Sequence, residues 1–266
     1  MKQRKLLVCD VDGTLFDLHT HTIPASAITA IRQARINGYR FVIASGRVHY
    51  GLGKALNALK PDDTIAVNGA VLVNQQGQLL AHHDLCLADI EELCTFARHH
   101  QAGLLLKGLE HMYIYQYEDK IDWIKAQRAG DIGDAPFCVC PTQDIHLYAP
   151  IQSASIHADP NAIAATFAHH PAMDFLPYSE NGFDVVPKGI HKGIALQELM
   201  RHYVIDPADV VCIGDNYNDL EMMKQAGYAI AMGNAVDTIK AHADFITTPS
   251  HQDGIYHALA HLGCLS

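Results

Sequence analysis

Charge is scarce in this sequence, and what there is leans acidic. Only 18% of the 266 residues are Asp, Glu, Lys or Arg, and 29 acidic side chains oppose 19 basic ones, for a formal net charge of −10 with histidine neutral. The lack of a basic excess argues against a nucleic-acid or anionic-membrane surface as the main partner. Long apolar runs are missing too: no uncharged stretch approaches the roughly 18 residues that suggest a spanning helix. The basic start Lys2, Arg4, Lys5 meets only four apolar residues, Leu6 to Cys9, before Asp10, short of the roughly 7–15 of an export signal. Nor is there a disulfide framework, since the seven cysteines, Cys9, Cys86, Cys94, Cys138, Cys140, Cys212 and Cys264, are odd in number and widely spread. A soluble, cytoplasmic protein with reduced thiols is expected. With 49% hydrophobic residues the chain can bury a substantial core, which excludes disorder as its dominant state.

The first eighty residues alternate short apolar runs with helical patterns, as βαβ units do. Strands are expected at Lys5 to Val11, Tyr39 to Ala44 and Thr64 to Val67. Helices are expected from Pro24 to Gly38 and from Val48 to Leu59, and a hairpin over Val71 to Ala81 around Gln75, Gln76 and Gly77. Then the character changes. Leu87 to His99 reads as a helix, and Met112, Ile114 and Gln116 alternate with Tyr113, Tyr115 and Tyr117 as in a half-buried antiparallel strand. A loop from Gly130 to Pro141, a strand near Ser155, a helix from Pro160 and a strand at Phe183 to Val186 follow. After Lys192 the first style returns: helix Ile194 to His202, strand Val210 to Ile213, helix Asp219 to Ala226, and strands near Tyr228 to Ala231 and Phe245 to Thr247. The expected architecture is an α/β core with a mainly parallel sheet, formed by residues 1–83 and 185–266, interrupted by an α+β insert at 84–184 that is large enough to be a domain.

Cys9-Asp10-Val11-Asp12-Gly13-Thr14 falls where the first strand ends, and open parallel sheets bind ligands beyond the carboxyl ends of their strands. If strand geometry persists through Asp12, the two carboxylates point the same way about 7 Å apart and flank one reacting centre. Val211-Cys212-Ile213-Gly214-Asp215-Asn216-Tyr217-Asn218-Asp219 is a second apolar strand entering a polar turn. A helical turn there would bring Asp215, Asn218 and Asp219 to one side, and one capping residue would not need three. Ala44-Ser45-Gly46-Arg47 offers a hydroxyl and backbone N–H groups at a helix start, suited to an anion. Lys192 precedes a helix in Pro187-Lys188-Gly189-Ile190-His191-Lys192-Gly193.

Together these segments resemble the haloacid dehalogenase superfamily of phosphohydrolases, in particular its Cof-type (subclass IIB) sugar-phosphate phosphatases. The resemblance spans nearly the whole chain: DxDGT, SGR after the second strand, the internal Val67-Asn68-Gly69-Ala70, an inserted cap, Lys192 and the GDxxND turn. Ser45 stands where many relatives carry threonine, and Asn216 where glycine is frequent. The resemblance implies a Rossmann-like core whose cap closes over the site, with Asp10 as nucleophile and Asp12 as general acid/base. It also implies a Mg²⁺ held by the Asp10 and Asp215 carboxylates and the Asp12 backbone carbonyl, with Asp219 behind them.

An aspartate nucleophile divides phosphomonoester hydrolysis into two easier steps through an aspartyl-phosphate. Asp12 would protonate the leaving oxygen and then take a proton from the attacking water. Converging carboxylates and a phosphate need a divalent cation, and all-oxygen ligands favour Mg²⁺. Lys192, Ser45, Asn218 and the backbone N–H groups of Val11 and Gly46 would meet the charge on the transferring group. Glu110, His111, Tyr113 and Asp184 are the insert's candidates for contacting a small phosphorylated metabolite, and no nucleic-acid or membrane partner is expected. A phosphomutase shares the same intermediate. A phospho-accepting signalling module is disfavoured, because it needs neither Asp12 nor a large insert. Histidine pairs such as His82-His83 do not share a helix face, and Cys138 with Cys140 is too sparse for a metal site.

Overall fold

The computed structural model describes residues 5–120, 137–139 and 144–265, which divide into two units. Residues 1–45, 55–81 and 191–266 form the first, and residues 46–54 and 82–190 the second.

The first unit is built on β1 (Lys5–Asp10), β2 (Tyr39–Ala44), β3 (Asp63–Ala66), β4 (Val71–Asn74), β5 (Leu79–His82), β12 (Val210–Gly214), β13 (Tyr228–Ala231) and β14 (Phe245–Ile246). They lie in the order β14-β13-β12-β1-β2-β3-β4-β5. Every pair from β14 to β3 is parallel, and β3 meets β4 antiparallel. Leu6, Leu7, Val8 and Cys9 are all fully buried, which is why β1 reads as an unbroken apolar run: helices cover both faces of a parallel sheet. The chain winds away from β1 on one side through β2 and on the other through β12. The carboxyl ends of β1 and β12 therefore sit at the switch point of the strand order, where open α/β sheets leave a crevice.

Helix α1 (Ala25–Ile36) buries Ala27, Ala30, Ile31 and Ala34 along one stripe and ends at Asn37 and Gly38, the latter in the left-handed region. The expected helix at Val48 to Leu59 is instead a 3₁₀ turn, His49–Gly51, and a short α2 (Lys54–Ala58). Gly53, at φ 89°, interrupts it. Likewise Asp219 to Ala226 resolves into a 3₁₀ turn at Tyr217–Asp219 followed by a single turn of helix, Leu220–Met223.

In the second unit, β6 (Gly103–Gly108), β7 (Met112–Gln116), β8 (Phe137–Val139), β9 (Ile151–His157), β10 (Met173–Pro177) and β11 (Gly182–Pro187) order as β10-β11-β9-β6-β7-β8. All pair antiparallel except β7 with β8. Helices α3 (Leu87–His99) and α4 (Pro160–Phe167) supply Ile90, Leu93, Phe96, Ile163 and Phe167 to a core with Leu104, Leu106, Ala154, Ile156 and Val185. Asp159 caps α4 by accepting from the Asn161 N–H. Three strands, β6, β8 and β10, have no counterpart in the expectations; Gly103 to Gly108 is too apolar to show a period. The Met112 strand is covered on both sides rather than half-buried, since Met112, Ile114 and Tyr115 are each buried. Of the expected loop at Gly130 to Pro141, Phe137–Val139 is a strand and the remainder lies outside the described residues. Among the described residues no helix is long and apolar enough to cross a membrane.

Candidate active site

β1 stops at Asp10, one residue short of the expected strand, so strand alternation does not relate Asp10 to Asp12. Instead the chain folds back: the Thr14 and Phe16 N–H groups donate to the Val11 carbonyl and the Gly13 N–H to the Phe16 carbonyl. The turn needs Gly13 at φ 95°, and a Cβ there would collide with the Asp215 carboxylate. Asp12 is half-buried on this turn. The Thr14 hydroxyl donates to Asp215 Oδ1 at 2.7 Å, tying the first motif to the strand beside it.

Asp215 follows β12, and the turn after it is closed by a capping box in which Asn216 and Asp219 satisfy each other's ends. Asp219 Oδ2 accepts the Asp215 and Asn216 N–H groups at 2.9 and 3.1 Å, while its Oδ1 accepts from Lys192 Nζ at 2.7 Å. Both oxygens are thus engaged, one holding the turn and the other Lys192. Lys192 opens α5 (Lys192–Tyr203), is fully buried, and donates to Asp10 Oδ1 at 2.6 Å as well. Carboxylate oxygens of Asp10, Asp215 and Asp219 lie within 4.8 Å of one another, a grouping able to hold a cation.

The electrostatics follow from this crowding. Burial, reinforced by the Asp219 carboxylate, holds the Asp10 carboxyl well above its ordinary range despite Lys192. The same two causes push Asp215 up to about 6 against the Thr14 hydrogen bond and Lys192. Burial pulls Lys192 down, but Asp10 and Asp219 outweigh it and the ammonium is held more firmly charged than usual. Burial also keeps the neighbouring Cys9 thiol protonated.

Ser45 is buried at the end of β2, its N–H on the Ile65 carbonyl, with Gly46 following it. The Asn218 side-chain N–H donates to Asn68 Oδ1 at 3.1 Å. Thr14, Asn68 and Asn234 had no assigned role in the sequence reading. Asn234 donates to the Gly13 carbonyl at 2.9 Å and accepts from the Ser250 N–H at 3.0 Å. The Ser250 hydroxyl in turn donates to the buried Asp17 carboxylate at 2.7 Å. Loops after β1, β12, β13 and β14 are so stitched across the sheet's carboxyl end, by polar residues whose partners lie more than 200 positions away in the chain.

The candidates in the insert do not converge. Glu110 is exposed, and the His111 and Tyr113 rings lie 6.1 Å apart. Tyr113 pairs with Leu106 and packs on the helix side of the six-stranded sheet. Asp184 pairs with Ser155, which pairs with Leu105, and so projects from the opposite face. There it accepts from Lys107 Nζ at 2.6 Å and from the Ser155 hydroxyl at 2.7 Å.

A parallel-sheet crevice lined by clustered aspartates and a buried lysine defines a phosphoryl-handling class of α/β protein. A sequence model of the haloacid dehalogenase-like hydrolases matches residues 7–259, and the chain belongs to that family, in its Cof-type branch. It is 28% identical to YkrA of Bacillus subtilis (strain 168) over 264 residues, 98% of either chain. It is 25% identical to the 5-amino-6-(5-phospho-D-ribitylamino)uracil phosphatase YcsE of the same organism, over 97% of this chain and 95% of that protein. Among solved structures, a phosphatase of the haloalkanoate (HAD) enzyme superfamily from Bacteroides thetaiotaomicron superposes with a TM-score of 0.86 at 25% identity, covering 98% of this chain and 96% of that one. The protein is a phosphatase of this superfamily.

Proposed function

We propose that the protein is a Mg²⁺-dependent phosphatase of small phosphorylated metabolites, sugar phosphates or similar monoesters, acting through an aspartyl-phosphate on Asp10. The observation that carries this reading is the buried meeting of Asp10, Asp215 and Asp219 around Lys192 at the carboxyl ends of β1 and β12. The relative YcsE acts on a phosphorylated ribityl chain, which fits a polyol or sugar phosphate.

The donor set suits Mg²⁺: only hard oxygens are present, and Asp219, with both oxygens engaged, serves as a brace rather than a ligand. The Asp10 and Asp215 carboxylates and the Asp12 carbonyl would hold the ion, which when bound neutralises charge on the phosphoryl oxygens. Asp10 attacks phosphorus as the ester bond breaks. Lys192 orients the attacking carboxylate and meets phosphoryl charge, together with Ser45, Asn218 and the Val11 and Gly46 N–H groups. Asp12 gives its proton to the leaving oxygen and then deprotonates the water that attacks the phosphorus of the aspartyl-phosphate, releasing inorganic phosphate and the free Asp10 carboxylate. The insert at 84–184 would act as a cap that excludes bulk water and selects the substrate. Six described cysteines are free thiols, consistent with a reducing cytoplasm.

The test is phosphate release from a panel of phosphorylated metabolites by wild type and Asp10→Asn, with Mg²⁺ or excess chelator. Activity is expected only for wild type with Mg²⁺; turnover by Asp10→Asn would move the covalent step elsewhere. For Asp12→Asn, the burst rate is expected to fall less with an aryl phosphate than with a sugar phosphate, because a poor leaving group needs its acid most.

A further inference from the structure

We propose that Asn68 is a positioning residue for phosphoryl transfer, its side-chain carbonyl fixing the Asn218 amide in the orientation that the phosphoryl group meets. This rests on the phosphatase reading above and gives a role to Asn68 of the Val67-Asn68-Gly69-Ala70 segment, which that reading leaves without one.

The segment joining β3 to β4 has an uncommon backbone. Val67, Asn68 and Gly69 stand consecutively in the left-handed region, at φ 53°, 54° and 104°. Glycine enters that region freely and asparagine tolerates it, but a β-branched valine there is a genuine outlier. Strain of this kind persists only where the surroundings over-determine it, and it gathers at functional sites.

The surroundings here are three of the candidate phosphate-binding segments. The Asn68 N–H donates to the Ser45 carbonyl at 3.0 Å. Gly69 lies so close to the His191 carbonyl, one residue before Lys192, that a Cβ would collide with it. Asn68 itself is 4% exposed, and its Oδ1 accepts from Asn218 Nδ2 at 3.1 Å. One strained turn therefore touches the loops of Ser45, Lys192 and Asn218, which arrive from separate parts of the chain.

A turn that merely reverses the chain would need only the backbone of these residues. The amide-to-amide hydrogen bond needs the Asn68 side chain, and it has a chemical consequence. With one Asn218 N–H engaged by Asn68, the plane of the Asn218 amide is set and its second N–H is directed by that plane. A donor held in place before charge develops stabilises a transition state better than one that must reorganise.

Asn68→Gly isolates the side chain, because glycine adopts the left-handed conformation at least as readily. The experiment measures kcat/KM for a sugar phosphate, inhibition by inorganic phosphate and thermal stability in wild type, Asn68→Gly, Asn218→Ala and the double variant. Asn68→Gly is expected to melt close to wild type, to lose about 10- to 100-fold in kcat/KM and to bind inorganic phosphate more weakly. The double variant is expected to be no worse than Asn218→Ala, since a residue acting through another gives a non-additive cycle. Activity of Asn68→Gly within twofold of wild type overturns the proposal, as do additive losses in the double variant. If Asn218→Ala alone retains full activity, the phosphate-binding role of Asn218 falls and this inference with it. A loss in Asn218→Ala without one in Asn68→Gly rejects Asn68 alone. Should Asn68→Gly fold poorly, Asn68→Ser, whose hydroxyl is too short to reach Asn218, enters the same cycle under the same criteria.

Discussion

Lys192→Met keeps the length of the side chain and deletes the charge buried between two carboxylates. Hydrogen bonds of 2.6 Å to Asp10 and 2.7 Å to Asp219 disappear together, and each bond to a charged group contributes about 1.5–3 kcal/mol. Part of that is returned, because the variant no longer strips water from an ammonium. What dominates is the pair of carboxylates left without a counter-charge beside Asp215. Removing one partner from a buried ion pair costs about 3–5 kcal/mol. Urea unfolding followed by circular dichroism, with chelator present so that no divalent cation replaces the missing charge, is the assay. For a urea slope of about 2–3 kcal/mol per molar, the midpoint should fall by about 1–2 M. A fall below about 0.3 M would refute the reasoning, for it would mean that Lys192 does not hold these carboxylates together. Phosphatase activity should be lost in parallel, even where the variant is fully folded.

Gly13→Ala should cut kcat/KM by about 100-fold or more while the protein stays folded, because the added methyl displaces the Asp215 carboxylate; near-normal turnover would show that the turn has slack. Mg²⁺ at about 100 times its dissociation constant should stabilise wild type by about 2.7 kcal/mol, visible as a higher Tm that chelator abolishes, whereas Asp215→Asn should show little of this gain. Hydrogen bonds from the Thr20 amide, the Ser250 hydroxyl and the His19 amide overcome burial and hold Asp17 down at about 2. A lowered carboxylate pKa contributes stability that is present above the unfolded value near 4 and lost as pH falls toward 2, so Asp17→Asn should cost about 2 kcal/mol at neutral pH and almost nothing near pH 2. Urea titrations at the two pH values check this, and an equal loss at both would assign the effect to packing instead.

Much of the core was legible in the chain itself. Buried parallel strands are short apolar runs, so Tyr39 to Ala44 and Tyr228 to Ala231 coincide with β2 and β13 residue for residue. Leu87 to His99 shows its helical period and coincides with α3. Candidate side chains at the ends of such runs, Asp10 as the last residue of β1 and Asp215 just after β12, were visible because polar residues at strand ends interrupt the apolar pattern. Where the pattern carries no period, reading failed. β6 has buried residues on both faces, and the helices Asp237–Ala241 and Gly254–His261 are too short or too uniformly apolar to stand out.

Local sequence determined which residues are candidates for chemistry and the strand ends that present them, since backbone propensity and hydrophobic period act over a few residues. Tertiary structure alone decided their partners. Lys192 between Asp10 and Asp219, Thr14 on Asp215, and Asn234 on the Gly13 carbonyl join positions 27 to 221 residues apart. Such pairings depend on how the strands order in the sheet, and burial in that crevice is what shifts the carboxyl groups from their ordinary acidity. Tyr113 and Asp184 make the same point in the other unit: both are polar residues of strands in one sheet, β7 and β11, yet the register carried through β6 and β9 sends them to opposite faces.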